Sequence, residues 1–179
     1  MTVAPGSPSM LESFTREDLE GMLEDAALNW LAHDGLWFLA VEAEHGMEDA
    51  IAADRTAWET FTVIEAKRIM KRHGIAPGGG IPALAKALGY RLYAFINEQE
   101  IVEQTDTRLL FRMNDCRVQS ARKRKGLPDF PCKSVGLVEY AGFARTIDDR
   151  IQTRCIGCPP DDHPEAWYCA WEFTLESRE

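Results

Sequence analysis

The spacing of the apolar residues changes near residue 91, and this change limits the chain to folds that combine helices with a sheet. After Thr15, whose hydroxyl can cap a helix together with Asp18, apolar residues recur at the i, i+3, i+4 and i+7 positions of a helix. Gly46 and Gly74 are residues typical of helix ends. The pattern predicts two helical segments before Gly46 and one long helix from about Met47 to His73.

In the C-terminal half the apolar residues alternate with a period of two, as in strands with one buried face. This pattern predicts four strands, at Leu92–Gln104, Arg108–Asn114, Arg150–Ile156 and Trp167–Leu175. Between the second and third strands it predicts two helices, Val118–Lys125 and Cys132–Arg145. We therefore predict one α+β domain over residues 1–179, in which an N-terminal helical layer (1–90) packs on a C-terminal antiparallel sheet with a cysteine-bearing helix (91–179).

Composition and charge argue against several classes of protein. The 179 residues include 29 acidic and 20 basic side chains, a net charge of −9, which disfavours binding to nucleic acid or anionic membranes. No apolar run approaches the roughly 20 residues of a membrane span, and the first ten residues do not resemble a secretory signal. We expect a cytoplasmic protein without a membrane partner. Aromatic residues of its helical half should form core or a homo-oligomer surface, namely Trp30, Trp37, Trp58 and Phe61.

All the cysteines lie in the C-terminal part, at Cys116, Cys132, Cys155, Cys158 and Cys169. Cytoplasmic thiols are kept reduced, so these residues are free, metal-bound or redox-active rather than bridged. The two-residue gap between Cys155 and Cys158 lets both sulfurs face one metal ion, and Cys116 and Cys132 can complete a tetrahedral site. Zinc is favoured over an iron–sulfur cluster, because the cysteine run of a bacterial iron–sulfur site is absent.

Other roles for the same cysteines stay open. Cys169 falls on the apolar face of the last predicted strand, where it can be a core residue, and Cys116 can be one as well. Cys155 and Cys158 can form a redox dithiol, since closely spaced thiols at a turn can have lowered pKa values. The two prolines after Cys158 argue against that role, because they prevent a helix from starting as it does in thioredoxin-like motifs.

A hydrolytic function would need a cysteine nucleophile with a base within hydrogen-bonding reach. Cys132 is the candidate nucleophile, with Cys155 as an alternative, and Glu139 is the candidate base because it follows Cys132 by two helical turns. If Glu139 faces a pocket, burial would raise its pKa, and the alternative is an exposed helix residue. We expect His33 between two helices and His163 in a solvated loop, both outside catalysis.

One dense basic cluster interrupts the acidic sequence, at Arg117, Arg122, Lys123, Arg124, Lys125 and Lys133. It could receive an anionic ligand or a nucleic-acid phosphate. Because no aromatic residues are interleaved with it, a solvated helix face is the favoured interpretation and nucleic-acid binding is not expected.

The C-terminal order of a strand, a cysteine-bearing helix and two strands ending in Cys-Ala-Trp-Glu-Phe resembles the 4-vinyl reductase domain and the aminothiazoline carboxylate hydrolase family. The resemblance rests on Cys116, Cys132, Cys155, Cys169, Tyr140, Phe143 and Phe173. It implies a small-molecule site in which Tyr140, Phe143 and Cys169 contact the ligand. The helix has Glu139 and Tyr140 in place of the Cys-x-x-Asp pattern of the hydrolases.

Over its whole length the chain resembles a family of uncharacterised bacterial cytosolic proteins. That resemblance rests on two segments, residues 29–40 (Asn-Trp-Leu-Ala-His-Asp-Gly-Leu-Trp-Phe-Leu-Ala) and residues 130–136 (Phe-Pro-Cys-Lys-Ser-Val-Gly). The family has no established activity, so it implies no particular reaction.

Three functions are consistent with these patterns. The favoured one is binding of a small molecule or a metal by a site that contains Cys116, Cys132, Cys155 and Cys158. The second is hydrolysis of a small cyclic or amide substrate, with Cys132 or Cys155 as nucleophile and Glu139 as base. The third is a structural homodimer in which the cysteines are reduced and buried.

Overall fold

A computed structural model gives the fold of residues 8–176. The helices are α1 (Pro8–Leu11), α2 (Arg16–His45), α3 (Met47–His73), α4 (Gly80–Leu88), a 3-10 helix (Leu92–Phe95), α5 (Arg117–Arg124) and α6 (Lys133–Ile147). The strands are β1 (Glu98–Gln104), β2 (Arg108–Asp115), β3 (Ile151–Gly157) and β4 (Cys169–Leu175). This architecture confirms the predicted α+β class. The segment used to predict the absence of a secretory signal lies partly outside the described residues, at positions 1–7.

Helix α2 begins with the predicted capping box and is longer than expected. The Thr15 hydroxyl accepts a hydrogen bond from the Asp18 N–H at 3.1 Å, and the Thr15 N–H donates to the Asp18 carboxylate at 2.9 Å. The prediction of two segments was wrong, since α2 runs without interruption through His33 and Gly35 to His45. A glycine inside a helix costs only about 1 kcal/mol, which good helix-forming neighbours such as Ala32 and Leu36 offset.

Helix α3 has the predicted limits, and glycines mark both ends. Gly46 and Gly74 have φ angles of 88° and 62°, backbone conformations that glycine adopts without steric cost. The N–H of Gly74 donates to the carbonyl of Met70, which closes the last turn.

The sheet has the strand order β1-β2-β4-β3, and every neighbouring pair is antiparallel. Leu109 and Phe111 of β2 and Trp171 and Phe173 of β4 are buried on the inner face, as the two-residue period predicts. The outer face is polar, and there Glu172 accepts hydrogen bonds from the guanidinium groups of Arg108 and Arg154.

The first predicted strand was too long. It begins at Glu98, because residues 92–95 form a 3-10 helix instead. Tyr93 in that helix stacks against Trp58 and meets Trp30 edge-on, at ring-centroid distances of 6.1 and 5.4 Å. Aromatic packing against α2 and α3 therefore overrides the strand preference of this segment.

Helix α6 lies between the inner face of the sheet and α3, and two glycines allow the close approach. A Cβ on Gly136 would lie 2.7 Å from Cζ2 of Trp171, and one on Gly142 would lie 2.6 Å from Cγ2 of Thr62. Thr62 in turn donates a hydrogen bond from its hydroxyl to the Glu139 carbonyl at 2.8 Å. These contacts fix the rotation of α6.

Helix α2 is the least buried long element of the fold. Ala27 and Leu31 are its buried residues, and it packs mainly on α3 and the 3-10 helix. Leu36 and Trp37 project into solvent, with Trp37 69% exposed. Among residues 8–176, none of the helices is both long and apolar enough to cross a membrane.

Candidate functional site

A cavity of about 580 Å³ lies between α2 and a face built by α5, α6 and β4. Most of its lining is apolar, and α2 forms one wall because it does not pack directly on the sheet. Apolar lining residues from α2, α6, β4 and the loop before α6 include Leu28, Leu31, Phe38, Phe130, Val135 and Trp171. Phe38 and Phe130 meet edge to face across the cavity wall, with ring centroids 4.8 Å apart.

Four cysteines line this cavity, namely Cys116, Cys132, Cys158 and Cys169. The Sγ atoms of Cys132 and Cys158 are 3.5 Å apart, and Cys155 and Cys169 are near enough to Cys158 to raise its pKa. All five thiols are free, so the cluster contains no disulfide.

Gln119 holds the loop that presents Cys132. Its Nε2 donates to the carbonyl of Phe130 and its Oε1 accepts from the Phe130 N–H, both at 2.8 Å. Nε2 also lies 3.6 Å from the Cys132 sulfur. Gln119 is 1% exposed, and the sequence offered no signal for this role beyond a polar residue inside a basic helix.

The thiols of the cluster differ in acidity. Burial raises the pKa of the Cys116 thiol, which packed side chains enclose at the cavity wall, to about 12. The pKa of Cys155 is lowered, because the Cys158 thiol donates a hydrogen bond to it and the Lys133 ammonium lies nearby. The pKa of Cys158 is raised, first by its contact with Cys132. Cys155 is therefore the member with the most thiolate character.

Within residues 8–176, no group of three or more histidine, cysteine, aspartate or glutamate side chains is arranged to hold a metal ion. The predicted zinc set of Cys116, Cys132, Cys155 and Cys158 stays a prediction. Of these four, Cys132, Cys155 and Cys158 are close together, and Cys169 is the further thiol that reaches Cys158.

A buried arginine joins two carboxylates at one end of the cavity. Arg91 is 2% exposed, and its Nη2 atom lies 2.9 Å from Glu65 Oε2 and 2.7 Å from Glu139 Oε1. The rings of Tyr140 and Phe143 lie 5.5 and 4.9 Å from its guanidinium carbon. Burial opposes the charge on Arg91, but Glu139 and Glu65 outweigh that effect and raise its pKa.

Three carboxylates line the same end of the cavity, those of Asp34, Asp54 and Glu139. Burial raises the pKa of Glu139, and Arg91 opposes this rise. The pKa of Asp54 is raised to about 7 by burial and by the neighbouring Asp34 and Glu139 carboxylates. Burial also raises the pKa of Asp34. Carboxyl groups with raised pKa values are thus concentrated at this end of the cavity.

The structure brings together only some of the residues predicted for the site. Cys132, Glu139 and Tyr140 line the cavity, but the Glu139 carboxylate is bound to Arg91 and lies two helical turns from Cys132, about 10 Å along the helix axis. Phe143 is fully buried in the core, outside the cavity lining. The predicted ligand contacts Tyr140 and Cys169 both face the cavity.

The two histidines considered earlier lie outside the cavity lining. His33 is on the exposed side of α2, inside the helix rather than between two helices. His163 lies in the loop before β4, with its Nε2 3.6 Å from an Asp129 carboxylate oxygen.

Some residues of the basic cluster form ion pairs, and the others are exposed to solvent. Arg122 lies 3.7 Å from the Glu42 carboxylate and donates to the Pro128 carbonyl, and Lys133 pairs with Asp161 at 2.8 Å. The exposed cations are Arg117, Lys123, Arg124 and Lys125, of which Lys123 lies outside the cavity lining. Most of the cluster therefore contributes positive charge to the rim of the cavity, and Arg122, whose side chain is 12% exposed, lies deeper in the lining and faces Glu42.

A family model described as a family of unknown function matches residues 12–175. No curated protein and no solved structure matches the chain. The match confirms the predicted membership of an uncharacterised family. None of the comparisons supports the resemblance to the 4-vinyl reductase domain or to the aminothiazoline carboxylate hydrolases.

Proposed function

The chain belongs to the family of unknown function DUF6125, and from this premise we propose that it binds a small organic molecule in the cavity between α2 and the sheet. The observation that carries the proposal is the cavity itself, about 580 Å³ in volume and mainly apolar in its lining. Cavities of roughly 300–1,000 Å³ with a few convergent polar groups are typical of small-molecule sites.

The polar groups that face the cavity would orient such a ligand. They are the carboxylates of Asp54 and Glu139 and the thiols of Cys132 and Cys158. The rings of Tyr140 and Trp171 stack with their centroids 4.7 Å apart and form part of the apolar lining. A ligand with an aromatic or aliphatic body and at least one polar group fits this arrangement.

Calorimetric titration against small aromatic molecules that differ in charge tests the proposal. An Ala121→Phe variant would fill part of the cavity, since Ala121 lines it from α5. The matched control is Ala53→Phe, on the exposed face of α3 and outside the lining. We expect at least one compound to bind, the Ala121 variant to bind about tenfold more weakly, and the control to bind as the native protein does. Equal binding by both variants would contradict the proposal.

Metal binding by the cysteines, predicted from the sequence, is the weaker candidate, because within residues 8–176 no group of three or more histidine, cysteine, aspartate or glutamate side chains is arranged to hold a metal ion. Thiolates are the ligands that structural zinc prefers, and binding would release their protons. If zinc is a natural component, protein purified without chelator or nickel should contain about one zinc per chain, and a Cys158→Ser variant should contain none. Native protein without metal and with five freely titrating thiols would exclude this candidate.

The hydrolase and structural hypotheses have less support. Cys132 lies at the start of α6, but its proposed base Glu139 is bound to Arg91. A structural homodimer would use the exposed apolar residues of α2, chiefly Leu36 and Trp37, and needs no ligand. The free state of all five cysteines supports the proposed cytoplasmic location.

A further inference from the structure

We propose that the ligand of this cavity is an organic cation, an apolar molecule with an ammonium group that binds between Asp34, Asp54 and Glu139. The inference rests on the proposed function, because it assigns a chemical class to the molecule that the cavity receives. The carboxylates come from α2, α3 and α6, so that three separate elements direct negative charge toward one place.

The charges at this end of the cavity do not balance. Arg91 is the buried cation, and its guanidinium already contacts Glu65 and Glu139 at 2.9 and 2.7 Å. Asp34 and Asp54 line the cavity without an ion pair to any residue in the described part of the chain. Four carboxyl groups therefore share the Arg91 guanidinium, those of Asp34, Asp54, Glu65 and Glu139. An additional cation would relieve the repulsion between those that are ionised.

Glu139 also keeps capacity to accept a hydrogen bond. It is 7% exposed, and within residues 8–176 its Oε1 atom makes no hydrogen bond of good geometry despite the short charge contact with Arg91. Within the same residues Arg91 Nη2 also makes none, so the two atoms face each other as an ion pair and Glu139 Oε1 can still accept a hydrogen bond from a bound donor. An ammonium group supplies up to three donors and a positive charge.

The surrounding rings suit a cation as well. Trp58, Tyr93 and Tyr140 line the cavity next to the carboxylates, and the Arg91 guanidinium already lies 5.3–5.7 Å from their centroids. The faces of aromatic rings attract cations over such distances. Three basic residues of the lining are exposed at the rim, where solvent screens their repulsion of a bound cation, namely Arg117, Arg124 and Lys125. Arg122 is less exposed, and the Glu42 carboxylate lies 3.7 Å from its guanidinium.

Three probes with the same ring and different charges test the inference: phenethylammonium, 2-phenylethanol and phenylacetate. At pH 8 we expect calorimetry to show that phenethylammonium binds at least about tenfold more tightly than the alcohol, and that phenylacetate binds most weakly. Binding of the alcohol or the acid as tightly as the amine would overturn the inference but leave the proposed function intact. Binding of none of the three at millimolar concentration would overturn both.

Variants of the carboxylates test which of them bind the cation. Asp54→Asn should abolish the preference for the amine over the alcohol, whereas Asp25→Asn, on the exposed face of α2, should leave it unchanged. Asp54 is the better position for this test, because Glu139→Gln would weaken the pairing of buried Arg91 and could unfold the protein. A preference that survives in both Asp54→Asn and Asp34→Asn would show that these carboxylates do not bind the cation.

The pH dependence of amine binding tests the role of Asp54 independently. Asp54 faces the Asp34 carboxylate of α2 and the Glu139 carboxylate of α6, with Arg91 beyond Glu139, and its pKa is about 7. Binding of an amine that stays charged should therefore strengthen about tenfold between pH 6 and pH 8 and release a proton near pH 7. An affinity that is constant over this range, together with no proton release, would contradict the role of Asp54.

Discussion

The sulfur atoms of Cys132 and Cys158 lie 3.5 Å apart at the cavity wall, although 26 residues separate them in the chain. A disulfide needs a sulfur–sulfur distance of about 2.05 Å, so the two are reduced but close to bonding distance. The pair links the start of α6 to the loop after β3, two segments that are otherwise joined by the hydrogen bond from the Lys133 N–H to the Pro159 carbonyl.

Mild oxidation should therefore join Cys132 to Cys158 before it forms any other disulfide. Treatment with diamide followed by peptide mapping would identify the linked peptides. Replacing Cys132 by serine should slow the first oxidation step, whereas Cys116→Ser should not, because Cys116 has a raised pKa and little thiolate. A first disulfide that contains Cys116 would show that proximity does not control the reaction.

Alkylation should distinguish the thiols by their acidity. At pH 7.5 we expect iodoacetamide to modify Cys155 first, because its pKa is lowered by the Cys158 thiol and the Lys133 ammonium. Cys116, with a pKa of about 12, should react last in the folded protein. Mass spectrometry of digests taken over time gives the order. In Lys133→Gln, iodoacetamide should modify Cys155 more slowly than in the native protein. An unchanged alkylation rate of Cys155 would show that the Lys133 charge does not lower its pKa.

Asp148 should make the stability of the fold depend on acid pH. Its carboxylate accepts hydrogen bonds from Arg150 at 2.6 and 2.9 Å and from the Gly80 N–H at 3.0 Å, and its pKa is lowered to about 2 mainly by Arg150. A lowered folded-state pKa means that this stabilisation is complete above about pH 4 and is lost as the pH falls toward 2. The shift corresponds to about 2 kcal/mol.

Urea unfolding from pH 7 to pH 2 measures this contribution. Asp148→Asn should be less stable than the native protein at pH 7, and the difference should narrow in acid as the native carboxylate is protonated. The control is the adjacent Asp149→Asn, at an exposed position. If the difference in the free energy of unfolding between the native protein and Asp148→Asn is the same at every pH, the charge of Asp148 does not contribute to stability.

Gly142 should be sensitive to the addition of a single methyl group. A Cβ there would lie 2.6 Å from the Thr62 methyl carbon, and Thr62 cannot turn away without losing its hydrogen bond to the Glu139 carbonyl. We expect Gly142→Ala to lower the free energy of unfolding by about 1–3 kcal/mol. Gly21→Ala, in α2 with no neighbouring atom within 4 Å, should instead raise it by about 0.5–1 kcal/mol. Chemical denaturation of both variants compares the two sites, and stabilisation by both would show that α3 and α6 can separate.

Local signals in the sequence predicted most of the elements. The capping box at Thr15, the glycines at the ends of α3 and the two-residue period of β2 and β4 each reflect interactions within a few residues, which a single chain displays directly. The strand predicted from Leu92 failed at its start because its conformation depends on Trp30 and Trp58, which are distant in sequence.

The candidate site was harder to predict, because its geometry is tertiary. The sequence indicated that Glu139 could face a pocket, but nothing near it identifies Arg91 as its partner, since Arg91 lies just before the 3-10 helix and only tertiary packing brings it to α6. Gln119 was hidden for the same reason, since its hydrogen bonds reach Phe130 across a loop. The cysteines were conspicuous by residue type alone, whereas their separation into a reactive Cys155 and an unreactive Cys116 depends on burial and neighbouring charge.

Helix α2 lines much of the cavity but contributes little to the buried core. Only Ala27 and Leu31 of this helix are buried. Nine of its residues line the cavity, namely Leu28, Asn29, Leu31, Ala32, Asp34, Gly35, Leu36, Phe38 and Leu39. Substitutions on this one helix can therefore change the shape and charge of the cavity while the core between α6 and the sheet keeps its packing. If the cavity binds a small molecule as proposed, substitutions in α2 would change ligand preference at the least cost in stability.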